Sequence, residues 1–191
     1  MKKILRFESS IKGIASVTRR LADSLIAGLG DSEVIRRDAQ TVPLIDGDWI
    51  AAAYTAKDAR SQAHVATLAL SDTLIRELHE ADVVVIGMPV HNFGVTGPLK
   101  SWIDQICRVG ATFAYTETGP MGLLADKPVY VAYAAGGVPM GSANDFASTY
   151  LRQVLGFIGL NNVQFVAAEG VAKDEVAAIA RGNEATAALA A

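Results

Sequence analysis

Asp82-Val83-Val84-Val85-Ile86-Gly87 places four consecutive β-branched apolar residues between an acid and a glycine. A run of that length with no polar alternation reads as a strand buried on both faces, which is the mark of a parallel sheet. The ten residues from Pro89 to Pro98 (PVHNFGVTGP) then form a loop. Pro98 suits the first turn of a helix, and Leu99, Trp102, Ile103 and Ile106 would give that helix its apolar face.

Working towards the N-terminus, Ala66, Leu70, Leu74 and Leu78, with Ile75 beside them, recur at helical spacing. Residues 39–60 have no clear period and hold Pro43, Gly47, Trp49 and Tyr54. A connection this long in a compact domain is usually functional or mobile. Val34-Ile35 reads as a short strand closed by Asp38, and Lys3 to Phe7 as another. Between them Val17, Leu21, Leu25 and Leu29, widened by Ile26, predict a helix with Ser16 at its N-cap. Gly28 and Gly30 mark its end.

Working towards the C-terminus, Lys127 to Tyr133 is a strand that runs into Ala134-Ala135-Gly136-Gly137. Residues 143–158 read as a helix through Phe146, Tyr150, Val154 and Phe157. Val163 to Ala167 is a last strand, and an Ala-rich helix begins near Lys173. Strands alternating with helices predict a three-layer α/β sandwich around a five-stranded parallel sheet. The flavodoxin-like order, 2-1-3-4-5 along the chain, and half of a dinucleotide fold both fit five strands. No internal repeat or linker divides residues 1–191, so one domain is expected.

Just over half of the chain is apolar, enough for a sizeable core, and the net charge is −3. Nucleic-acid binders usually carry a basic face, so a phosphate-backbone partner is not expected. No run of like charge suggests a membrane surface, and no segment reaches the roughly eighteen apolar residues of a spanning helix. Glu8, Ser9, Ser10 and Lys12 interrupt any apolar signal region after MKKILRF, so no secretion signal is read. The single cysteine, Cys107, excludes an internal disulfide and a CxxC site, and suits a reducing compartment. A cytoplasmic enzyme with no metal site is the expectation.

Ligands of open α/β sheets bind beyond the carboxyl ends of the strands, where strand order reverses. Three loops follow strands 1, 3 and 4 and would form one rim. In the first, Ser9, Ser10, Ser16 and Thr18 surround a helix N-terminus, a site suited to a phosphomonoester. GxGxxG and GxxxxGK[ST] are both absent, which weighs against a dinucleotide or nucleoside-triphosphate reading. In the second, Asn92 offers a donor and an acceptor to a heterocycle edge, and Phe93 a face for a planar ring. In the third, Gly136-Gly137 exposes backbone N–H groups. Each loop alone reads better as structure: Ser16 as a cap, Asn92 and Gly94 as a turn, Gly136 and Gly137 as a strand-to-helix turn.

Together the three loops carry a resemblance. Ser9-Ser10 with Ser16-Val17-Thr18, Pro89-Val90-His91-Asn92-Phe93, Gly136-Gly137 and Leu155-Gly156-Phe157-Ile158-Gly159 resemble the FMN-dependent NADH:azoreductases, also described as NADH:quinone oxidoreductases. Residues 110–117 (GATFAYTE) with Gly119-Pro120, and residues 166–170 (VAAEG), extend it to about Lys3–Ala172. The resemblance implies a flavodoxin-like fold and a homodimer with one FMN per subunit at the interface. It implies phosphate contacts from Ser10, Ser16, Val17 and Thr18. It implies ring contacts from Val90, His91, Asn92 and Phe93, and from Ala134, Ala135, Gly136 and Gly137. Tyr115 and Phe157 fall where the family places aromatics lining the substrate pocket. Family members work by a ping-pong reaction, taking hydride from NADH or NADPH onto the flavin and passing two electrons to a quinone or azo compound. His91 stands where tyrosine is frequent, and Ala134-Ala135 where Ser-Arg is.

No catalytic side chain is required, because the flavin carries the chemistry. Asn92 and the backbone N–H groups near Gly136 and Gly137 are the candidates for stabilising negative charge on it. For His91, proton donation and simple stacking weigh equally. His64 and His79 read as surface residues and Cys107 as core. The alternative of another class is a flavodoxin-type electron carrier, although such carriers are usually far more acidic and lack the 39–60 segment. A non-flavin α/β hydrolase is a second rival. A receiver domain is a third, but the acidic cluster expected after its first strand is missing.

Overall fold

The computed structural model describes residues 1–190. Its seven strands are β1 (Lys2–Glu8), β2 (Ser32–Asp38), β3 (Val83–Pro89), β4 (Phe113–Thr116), β5 (Gly119–Gly122), β6 (Val129–Ala135) and β7 (Val163–Glu169). Its α-helices are α1 (Val17–Gly28), α2 (Gly47–Tyr54), α3 (Gln62–Glu80), α4 (Gly97–Ile106), α5 (Phe146–Phe157) and α6 (Glu175–Ala190). Five strands pair in the order β2-β1-β3-β6-β7, all parallel. With the β4–β5 hairpin counted apart, this is the expected 2-1-3-4-5 order. Among the described residues no helix is long and apolar enough to cross a membrane.

Strand alternation sorts the core into two layers. Leu5 and Phe7, Val84 and Ile86, and Val129, Val131 and Tyr133 point to the face covered by α3, α4 and α5. Ile4, Val83, Val85, Ala132, Ala134, Val166 and Ala168 point to the face covered by α1 and α6. The small residues on β6 and β7 leave room for α1 to lie across the sheet and pack on β3 and β6. Val17, Leu21, Ala22 and Leu25 are its buried stripe. Each large aliphatic buried there contributes about 1.5–3 kcal/mol, so the helix is held chiefly by packing.

Several elements differ from the sequence reading. Residues 39–60 contain α2, capped by Asp46, whose carboxylate accepts the Trp49 N–H at 2.8 Å. Two turns are too short for periodicity to register. The Trp49 indole then donates to Gln105 at 2.8 Å, which pins the segment to α4. On α3 the buried stripe is Leu68, Ser71, Leu74, Ile75 and Leu78, whereas Ala66 is exposed and Leu70 half-buried. On α5 it is Ala147, Ser148, Leu151 and Leu155, with Phe146 exposed. Neither strand of the β4–β5 hairpin was expected, because each is only four residues long. β6 runs two residues further than Tyr133, so Ala134 and Ala135 are strand residues that pair with Pro89 and Glu169 on the neighbouring strands.

Candidate functional site

The carboxyl ends of β1, β3 and β6 open into a cleft of about 460 Å³. Its wall takes Ser10, Ser16, Val17 and Thr18 from the first loop and the start of α1, Val90 and His91 after β3, and Ala134, Ala135 and Gly136 at the end of β6. Nine of the twelve expected cofactor residues are therefore brought together. Asn92, Phe93 and Gly137 are not part of the wall, and each adjoins, directly or through the other, a residue that is. Ile11, Lys12, Pro89, Val171, Ala172 and Glu175 line it as well. Lys12 and Ile11 lay inside the serine-rich loop and were legible there. The contribution of the segment after β7 shows only once β7 is seated beside β6.

The first loop gathers hydroxyls and free N–H groups, chemistry that suits an anion. Ser16 caps α1 and its hydroxyl is hydrogen-bonded to that of Thr18 at 2.9 Å. The first N–H groups of a helix have no acceptor within it, and the dipole adds positive charge there. Ser10, Ser16 and Thr18 are all buried. Ser9 is different: its hydroxyl donates to the Gly87 carbonyl at 2.6 Å and ties β1 to β3. Thr96, the cap of α4, donates to the Ser9 carbonyl at 3.3 Å, so the first and second loops are joined.

The second loop is a tight reversal. His91 and Gly94 exchange N–H to carbonyl bonds at 3.1 and 3.0 Å. Between them Asn92 and Phe93 both have positive φ, 47° and 70°. Asparagine tolerates that region and phenylalanine does not. Strain of this kind persists where surroundings enforce it and is common at ligand sites. Both side chains are exposed, Phe93 at 51%. The Val90 N–H donates to the Ala134 carbonyl at 2.8 Å and locks the reversal to the end of β6. Beyond it, Ala172 donates to the Gly136 carbonyl at 3.3 Å, which joins the third loop to the segment after β7.

Behind the cradle lies a partly buried charge cluster, of which the sequence reading had marked only Glu8, as a polar interruption, and Asp38, as the end of a strand. Arg6, 3% exposed, is bonded to Glu8 and to Asp23, and donates to the Arg19 carbonyl at 3.0 Å. Arg19 reaches Asp38 at 2.7 Å. Burial pushes the Glu8 carboxyl up, against the opposing pull of Arg6 and Arg19.

Tyr115 and Phe157 lie outside this cleft. They flank Phe113, edge-on to Tyr115 at 5.6 Å and tilted against Phe157 at 4.4 Å between centroids. Tyr115 is 72% exposed. It lines a second cleft, about 240 Å³, with Ile45, Trp49, Ile50 and Tyr54. A larger basic cleft, about 540 Å³, is a weaker candidate. Its Arg60 is engaged with the carbonyls of Ala52 and Thr55, and its Arg108 with Ser71 and Asp72.

Comparison with known proteins agrees with this fold. Residues 2–190 match the family described as having a flavodoxin-like fold. An FMN-dependent NADH:quinone oxidoreductase of Cereibacter sphaeroides (strain ATCC 17029 / ATH 2.4.9) is 46% identical over 196 residues, covering 100% of both chains. One from Jannaschia sp. (strain CCS1) is 47% identical over 178 residues, 93% of each chain. The crystal structure of an azoreductase from Bacillus anthracis str. Sterne superposes with a TM-score of 0.88 at 27% identity, over 100% of this chain and 99% of that one.

Proposed function

The chain belongs to the FMN-dependent NADH:quinone oxidoreductases of the flavodoxin-like family, and from that premise we propose that it uses FMN in the cleft above β1, β3 and β6 to carry electrons from NADH or NADPH to quinones and azo compounds. The observation that carries the reading is the joining of a hydroxyl-lined helix N-terminus to a strained reversal and a glycine loop in one cleft. Bound there, FMN would supply the redox chemistry, taking hydride from the nicotinamide and giving two electrons to the acceptor.

The chain's own residues bind, orient and shield. Ser10, Ser16, Thr18 and the N–H groups of Val17 and Thr18 fit a phosphomonoester. No glycine fingerprint is available for a pyrophosphate, which favours FMN over FAD. Val90 and His91 line the wall where the ring would lie, and the N–H group at Gly136, with Gly137 and the Asn92 amide beside the wall, would hold its polar edge. His91 brings an imidazole to the wall, able to donate one hydrogen bond and accept another. One site serving both half-reactions in turn makes the kinetics ping-pong.

Leu44, Ile50, Tyr54, Val109, Tyr115 and Met121 are exposed large apolar residues, several of them around the second cleft. Patches of this kind usually meet a partner. A homodimer would cover them and let Tyr115 and Phe157 of one subunit serve the cleft of the other. The protein so assembled is one domain per chain, over residues 1–191, working in the cytoplasm.

The test begins with the purified protein. A yellow spectrum, release of a compound with the mass of FMN, bleaching by NADH without oxygen and recolouring by a quinone support the reading. Parallel double-reciprocal lines support the ping-pong order, and light scattering reads the dimer. Bound flavin with no steady NADH oxidation would point instead to an electron carrier.

A further inference from the structure

Lys12 sits in the wall of the cleft, on the loop that carries Ser10 and Ser16. Among the lining residues it alone bears a permanent positive charge, and Glu175 alone a negative one. Glu175 already lies 3.7 Å from Arg20. The Lys12 ammonium has no ion-pair partner among the described residues, unlike the arginines of the neighbouring cluster. Its backbone, by contrast, is held. The Lys12 N–H donates to the Ser10 hydroxyl at 3.3 Å, and its carbonyl accepts from Ala15 at 3.3 Å. Gly13, at φ +56°, turns the chain straight into the short 3-10 helix Gly13–Ala15 that leads to Ser16. A flexible stem is thus anchored on a fixed loop beside the helix N-terminus.

The charge balance gives the lysine its use. A phosphomonoester brings a charge approaching −2, and a helix N-terminus offers the equivalent of about +0.5. Hydroxyls contribute dipoles and no net charge. Glu8 adds negative charge behind the cradle, itself bonded to Arg6. We propose that Lys12 is a specificity-determining residue of the cleft, the cation that pairs with the terminal phosphate of FMN and sets the preference for FMN over the uncharged riboflavin. This rests on the FMN reading above.

The experiment titrates the flavin-free full chain with FMN and with riboflavin, at low and at high salt, by flavin fluorescence. For Lys12→Gln the FMN dissociation constant should rise about fivefold to tenfold at low salt, as for a charge-assisted contact open to solvent. The difference from the parent should shrink at high salt, where exposed charges are screened. Riboflavin binding should not change, and Lys12→Arg should keep most of the FMN affinity. The proposal is overturned if Lys12→Gln binds FMN like the parent at low salt, or weakens both ligands equally. Ser16→Ala separates the two levels of argument. If it lowers FMN affinity selectively while Lys12→Gln does not, only the role of Lys12 fails. If neither variant alters the ratio of FMN to riboflavin affinity, the phosphate does not bind in this cradle and the placement of FMN fails with it.

Discussion

Glu8 Oε2 and Arg19 Nε lie 3.8 Å apart, both buried and neither with a closer hydrogen-bond partner. Arg19 is in the first turn of α1 and Glu8 ends β1, so this loose pair sits behind the helix N-terminus that forms the anion cradle. Across the sheet Glu8 is in register with Gly87 on β3. The missing side chain of that glycine is what admits the carboxylate.

Gly87→Ala should therefore disturb both the cluster and the cradle. A Cβ there would fall 2.7 Å from Glu8 Oε2 and 3.3 Å from Thr18 Oγ1. Overpacking of this kind costs about 1–3 kcal/mol. Urea unfolding should show the loss, and FMN titration a weakening that exceeds any for riboflavin, since Thr18 belongs to the phosphate end. An unchanged unfolding midpoint would show that Glu8 swings aside freely.

The pH dependence of Glu8 has a definite sign. Burial, the largest influence, raises its folded value above the ordinary 4.5. The folded state then holds the proton more tightly than the unfolded chain. That contribution is fully present below the unfolded value and is lost as pH rises through the folded one. Glu8→Gln cannot titrate, so its stability relative to the parent should climb with pH in the window that opens near 4.5. Parallel urea series across that range test this. A relative stability that falls instead would show the attraction of Arg6 outweighing burial.

Asn92 has two separable jobs. At φ 47° it holds the reversal, and its amide is the candidate partner for the flavin edge. Asn92→Gly keeps the first and removes the second, while Asn92→Ala also places a Cβ in the left-handed region at a cost of about 1–2 kcal/mol. Both should weaken FMN, because a buried polar group left unpaired costs roughly 1–3 kcal/mol, about tenfold to a hundredfold in affinity. Only Asn92→Ala should unfold more readily. If Asn92→Gly binds FMN like the parent, the side chain serves the turn alone.

Cys107 should be a sluggish thiol. Burial, aided by Asp104, pushes its value up from 9.0 to about 12. The thiolate is the reactive form, so at pH 8 it would be on the order of a thousandfold scarcer than in the unfolded chain. Reaction with a disulfide reagent should be slow in the native protein and rapid in denaturant. Equal rates in the two states would refute the burial.

Much of the fold and part of the site were legible from residue patterns. The run from Val83 to Ile86 implied burial on both faces, and the sheet has it. Ser16 announced the start of α1 and is its cap. The order of strands and helices led to the observed sheet order. These signals are local, since each needs only a few neighbouring side chains and one periodicity. By the same logic α2 and the β4–β5 hairpin were missed. They are four to eight residues long and depend on distant contacts, such as Trp49 to Gln105.

The tertiary structure decided what no local pattern encodes. Pairing of β3 with β6 drew Ala134 and Ala135 into the sheet and set Val90 against Ala134. Seating β7 beside β6 brought Val171, Ala172 and Glu175 to the same cleft. Glu8, which looked like an interruption of an apolar start, and Arg6 within that start became buried partners because α1 folds over them. The sequence by itself determined the five strands of the main sheet and the longer helices, since those follow from spacing and side-chain shape along a few turns of chain. Which loops share a wall, and which charges face each other in a low dielectric, was decided only by strand order and helix placement, because those contacts join residues far apart in the chain.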